Sequence, residues 1–266
     1  MAEIIPLLGG DSTIPLLGGV RGGSLGREIS VNISRITDLP TPKSPPKRGL
    51  SNLNFHKERS KKSMKVLIVY YSTYGNVYKM AKLVADGVRE VNGAEPIIRT
   101  VLELIPQSVI ESRDDMKAGR QMQKDVPLVT LDDFKEAGAI AFGTPTRFGN
   151  VSAQLKNQID QLTSLWFEGK LEGKPAGVFV STASLHGGQE TTIHTLMAPL
   201  LHLGMIIVGV PYSVKELFTT QGGGSPYGPG HIAGLDSKRE IDQQEAAICH
   251  ALGRRLAEVG LRLQNR

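Results

Sequence analysis

The sequence predicts a doubly wound α/β domain, in which a parallel β-sheet carries helices on both faces. From Met64 onward, apolar β-branched runs alternate with segments whose apolar residues recur at helical spacing. The runs are continuous and nearly free of charge, as strands buried on both faces require. Parallel neighbours need crossover connections, and the intervening helical segments supply them.

The elements follow in order. Residues 65–71 (KVLIVYY) form the first strand, and a turn covers 72–76. Val77, Met80, Ala81, Val84 and Val88 then share one helical face. Residues 96–101 and 139–143 (AIAFG) give the second and third strands. A helix over 151–166 carries Leu155, Ile159 and Leu162. Residues 177–180 are the fourth strand, followed by a helix over 190–202. Residues 205–210 (MIIVGV) form the fifth, and a last helix spans 238–261. Between the second and third strands, Asp114 and Asp115 read as a solvated loop.

Residues 1–63 have a different character. They repeat IPLLGG at 5–10 and 14–19, continue through a Pro/Lys-rich stretch at 40–48 and end in a basic run at 57–62. Without sustained periodicity they bury too little apolar surface to offset the entropy of ordering, so a disordered basic extension is expected, with Met64 a candidate start of translation. They hold ten Lys/Arg against five Asp/Glu, which leaves 21 of each in the remainder. The whole net charge of +5 therefore lies in the extension, and the folded part is neutral. Nucleic-acid binding by the folded part is disfavoured accordingly. The single cysteine, Cys249, excludes a disulfide within the chain and points to a reducing, cytoplasmic setting. Buried in the last helix, it reads as a structural thiol. No apolar run is long enough to span a membrane. No HxxxH, CxxC or carboxylate cluster suggests a metal.

In such sheets ligands bind beyond the carboxyl ends of the strands. The loop after the first strand, Ser72-Thr73-Tyr74-Gly75-Asn76-Val77, leads directly into a helix. Its backbone N–H groups and the positive helix end converge on one point, which suits a phosphate without any lysine. Ser72, Thr73 and Asn76 can add side-chain hydrogen bonds. The loop is neither a Walker A motif nor GxGxxG, which argues against a nucleoside triphosphatase and a standard dinucleotide-binding domain. The competing reading is a capped helix start with no ligand.

The loop after the third strand, GTPTRFGN at 143–150, is more specific. Together with STYGN at 72–76 it resembles the WrbA family of NAD(P)H:quinone oxidoreductases, tetrameric FMN-binding relatives of flavodoxin. The resemblance covers residues 64–264 and implies a flavodoxin-like, five-stranded sheet of order 2-1-3-4-5. It places Ser72 to Val77 at the FMN phosphate and Thr146, Arg147 and Phe148 along the isoalloxazine ring. There Arg147 could stabilise negative charge on reduced flavin; a surface or interface ion pair is its alternative. The stretch Ser181-Thr182-Ala183-Ser184-Leu185-His186-Gly187 matches a third flavin loop, with Ala183 and His186 standing where the family commonly has glycine. His202 matches a histidine near flavin and nicotinamide, able to bond a quinone oxygen or supply a proton; the helix dipole alone would also favour it there. Tyr74 matches the residue that contacts NADH or NADPH, and Trp166 the wall of the quinone pocket, against the alternative of a core tryptophan. The Gly-rich segment 221–230 matches an insertion near subunit contacts, and partners are expected to order it.

The expected function is therefore FMN-dependent, two-electron reduction of quinones by NADH or NADPH, by ping-pong hydride transfer through FMN N5, in a homotetramer or dimer. A flavodoxin-type electron carrier without NAD(P)H oxidation is the alternative, and the neutral domain speaks against it. A nucleic-acid role would rest on the basic extension alone.

Overall fold

The computed structural model describes residues 63–264. Apart from Ser63, the extension expected over residues 1–63 lies outside them. β1 (Met64–Tyr70) pairs in parallel with β2 (Ala94–Thr100) on one side and β3 (Ala139–Pro145) on the other. β3 pairs with β4 (Pro175–Thr182), and with β5 (Ile206–Ile207) the order is β2-β1-β3-β4-β5, as the family resemblance implies.

Period-two alternation sends neighbouring residues of β1 to opposite faces. Val66, Ile68 and Tyr70 pack with Val77, Met80 and Val84 of α1 (Asn76–Arg89) and with Ile248, Leu252 and Leu256 of α9 (Gln243–Gln264). Leu67, Val69 and Tyr71 join the core on the other face, with Leu155 of α5 (Ala153–Asp160) and Ile193 and Leu196 of α7 (Gln189–His202). Two buried faces explain why the strand runs are apolar without alternation.

The structure corrects the sequence reading in four places. The fifth strand is not one run over 205–210. Only β5 (Ile206–Ile207) pairs with the start of β4; the chain then leaves the sheet and returns as β6 (Gly230–Ile232) beside Val180–Thr182. The Gly/Pro-rich return takes over the bonding: Val210 N donates to Pro226 O at 2.9 Å, and a Cβ on Gly209 would meet that oxygen at 2.2 Å. Asp114 and Asp115 open a helix, α3 (Asp114–Met122), where their charge suits the positive helix end; it follows α2 (Gln107–Glu111) and precedes α4 (Leu131–Glu136). The helix over 151–166 divides into α5 and α6 (Thr163–Phe167). The last helix starts at Gln243, because Asp242 Oδ1 accepts from Glu245 N (2.9 Å) while Glu245 Oε2 accepts from Asp242 N (3.1 Å), a reciprocal cap. The short α8 (Glu216–Thr219) lies in the excursion between β5 and β6.

Candidate functional site

The carboxyl ends of β1, β3 and β4 meet where the strand order reverses, and a cavity of about 130 Å³ opens there. Its wall brings together Thr73, Tyr74, Asn76 and Val77 of the first loop, Thr146 and Arg147 of the second, and Ser181, Thr182 and Ala183 of the third. Pro145, Ala233 and Ser237 complete it. Among the described residues no carboxylate lines it.

The first loop turns at Gly75, whose φ of +92° disfavours any side chain. No side chain caps α1 and no acidic residue occupies its first turn, so its N–H groups and positive end face the cavity. Ser72, Thr73 and Asn76 are buried. Behind the loop, α3 packs so closely that a Cβ on Gly119 would lie 2.4 Å from Thr73 O, and Gln123 Nε2 donates to Ser72 O at 2.8 Å. Neither residue carried a motif in the sequence; the mid-helix glycine is the one signal of close approach.

The second loop is held to the third by Thr146 N donating to Ser181 O (2.9 Å) and to α7 by Thr146 Oγ1 against Thr192 Oγ1 (2.8 Å). Phe148 has φ +54°, a strained backbone, and is wholly exposed; it is not among the residues that line the cavity. Arg147 donates through Nη1 to Thr146 O (3.0 Å) and through Nη2 to Thr73 Oγ1 (2.8 Å). The third loop divides. Thr182 Oγ1 donates to Ser184 O (2.9 Å), but Leu185 and His186 face a neighbouring hollow with Gly188, Glu190 and Ser225 rather than the cavity. Ala233 and Ser237 reach the wall from beyond β6: Ala233 N donates to Thr182 O (2.7 Å), and Asn76 Nδ2 donates to Ser237 O (3.0 Å). More than 150 residues separate Asn76 from Ser237, so no local pattern announces this contact.

His202 and Trp166 are not brought to this cavity. They share a second pocket of about 420 Å³ with Ile159, Thr163 and Pro199. His202 ends α7, whose 14 residues begin beside the second loop, so it stands about 20 Å away along the helix axis. Trp166 is half exposed there, its ring 4.8 Å from Phe167. The core alternative for Trp166 is thereby removed. Tyr74 stacks under the Arg113 guanidinium at 5.7 Å.

The Gly-rich segment, which partners were expected to order, packs against this chain's own β4 and α9. A Cβ on Gly228 would meet Val178 O at 2.1 Å, and Gly223 N donates to Glu245 Oε1 at 2.9 Å. Cys249 is fully buried, and burial pushes its thiol up, away from nucleophilic use. Among the described residues no cluster of His, Cys, Asp and Glu could hold a metal, and no helix is long and apolar enough to cross a membrane.

An open helix N-terminus and a wall that contains an arginine and, among the described residues, no carboxylate are a donor set for an anion. They fit the phosphate of a flavin mononucleotide.

Comparison with known proteins identifies the family of the chain. A family model for NADPH-dependent FMN reductase matches residues 64–219. The NAD(P)H dehydrogenase (quinone) of Trichlorobacter lovleyi is 48% identical over 201 residues, covering 75% of this chain and 98% of that protein. The protein of that name from Aromatoleum aromaticum is 46% identical over 198 residues, covering 74% and 95%. A crystal structure described as a flavodoxin, WrbA-like protein from Agrobacterium tumefaciens shares the fold, with TM-score 0.52 at 24% identity over 75% of this chain and 99% of that one.

Proposed function

The chain belongs to the NADPH-dependent FMN reductase family and, within it, to the NAD(P)H dehydrogenases (quinone), and from that membership we propose that it reduces quinones with NADH or NADPH through bound FMN. The observation that carries this reading is the carboxylate-free cavity at the switch point, faced by the open N-terminus of α1. When bound, FMN supplies two-electron chemistry at N5, with donor and quinone using one face in turn, a ping-pong order. The chain's own residues bind and orient. The N–H groups of 74–77 hold the phosphate, and Thr146 of the second loop with Ser181, Thr182 and Ala183 of the third flank the ring. Tyr74, at the mouth, meets the nicotinamide nucleotide.

His202 and Trp166 can serve this site only from a second copy, because α7 separates them from it within one chain. We therefore assign the working form to a homo-oligomer, a tetramer on the family resemblance, acting in the cytoplasm. Residues 64–266 make up the flavin domain in this reading; the relatives are covered almost end to end by about that length of this chain.

The test is a visible spectrum of the purified protein, followed anaerobically by NADH and then benzoquinone. Yellow protein that bleaches with NADH and recovers with quinone is the expected result. Yellow protein left oxidised by both NADH and NADPH would indicate an electron carrier. Colourless protein that also refuses added FMN would sink the proposal.

A further inference from the structure

The hydrogen bonds around Thr73 give Arg147 a different duty from the ring contact implied by its loop. Glu103 accepts from Tyr71 OH (3.0 and 3.1 Å), from Leu104 N and Ile105 N (both 2.9 Å) and from Gln154 Nε2 (3.1 Å), and lies 3.3 Å from Arg120. A carboxylate only accepts, so the single Tyr71 proton is directed to it. Burial holds that phenol neutral, its pKa pushed up to about 12. Tyr71 OH must then accept from Thr73 Oγ1 (3.4 Å), whose outer side accepts from Arg147 Nη2 (2.8 Å). Every proton in this relay points inward. The Thr73 hydroxyl thus has none left for an anion, and the Asn76 amide is engaged with Ser237 O.

What remains to meet a phosphate with full charge is Arg147. The relay draws its guanidinium from the second loop onto the first. There it bonds two neutral oxygens and, among the described residues, forms no ion pair within 4.0 Å. Of its five N–H donors, three are unused by these bonds.

Resting on the FMN reading of this site, we propose that Arg147 is the charge partner of the flavin's phosphate. It would make the site select phosphorylated flavins over riboflavin, with Thr73, Tyr71 and Glu103 as positioning residues.

The experiment titrates flavin-free full-length protein with FMN and with riboflavin, following quenching of flavin fluorescence at low and high salt. In Arg147→Ala, FMN binding should weaken at least about tenfold while riboflavin changes less than about twofold, the loss expected of a charge-assisted hydrogen bond. The salt dependence of FMN binding should flatten, Arg147→Lys should restore most of the affinity, and Tyr71→Phe should lower the FMN-to-riboflavin preference in the same direction. Equal weakening of both flavins, or of neither, overturns the assignment of Arg147. An unchanged preference in Tyr71→Phe overturns the positioning role of the relay. Wild-type protein that binds neither flavin overturns the functional reading beneath both.

Discussion

Glu245 is fully buried and accepts from His231 Nδ1 (3.0 Å), Arg239 Nη1 (2.9 Å) and the N–H groups of Gly223, Ile232 and Asp242. One carboxylate thereby ties the Gly-rich segment, β6 and the start of α9 together, beside the two wall residues Ala233 and Ser237. Burial opposes its charge, but the bonds from His231, the Asp242 backbone and Arg239 prevail and hold it down to about 2, against an ordinary 4.5. Between those values the native chain binds fewer protons than the unfolded one. The stabilisation is therefore complete above the upper value and is lost as pH falls through the window, amounting to roughly 3 kcal/mol at neutral pH. Glu245→Gln should cost about that much in urea denaturation at pH 7, since it replaces a charged acceptor shared by five donors. The gap from wild type should narrow at pH 3; a gap equal at both pH values would contradict the linkage. The sequence reading starts the last helix at 238 and singles out neither Asp242 nor Glu245; the hub was not legible, because its partners come from three separate segments.

At the scale of elements, α3 decides the shape of the phosphate loop. Gly119 lets the helix backbone touch Thr73 and Tyr74, and no side chain fits between. Gly119→Ala should push the loop outward, weakening FMN binding by an order of magnitude or more while global stability falls by only about 1–3 kcal/mol, the usual range for overpacking. Parallel FMN titration and thermal melts check this; a melt that collapses while the folded fraction binds FMN normally would refute it. The strand-rich half of the sheet was readable because burial on both faces writes itself as unbroken apolar runs. The helices α2 to α4 were not. They are short, they expose most of their residues, and their place is set by the loop they support.

Across the whole molecule, the two pockets lie at opposite ends of α7, which makes assembly a functional matter. If His202 serves a neighbour's flavin, a co-refolded mixture of His202→Ala and Gly119→Ala proteins should show more quinone reductase activity than the mean of the two parents. Activity equal to that mean would mean that every site is built within one chain. The sequence by itself determined the fold class, the strand order through its family likeness, and the loops that form the cavity. The fold class and the loops follow from local periodicity, from burial and from turns that immediately follow strands; the strand order came with the likeness alone. Only the tertiary structure decided that the edge strand is divided, that Ala233 and Ser237 join the wall, that Arg147 is drawn to Thr73, and that His202 and Trp166 stand apart. Each of these depends on contacts between segments distant along the chain, and such contacts leave no periodic trace in the residues that make them.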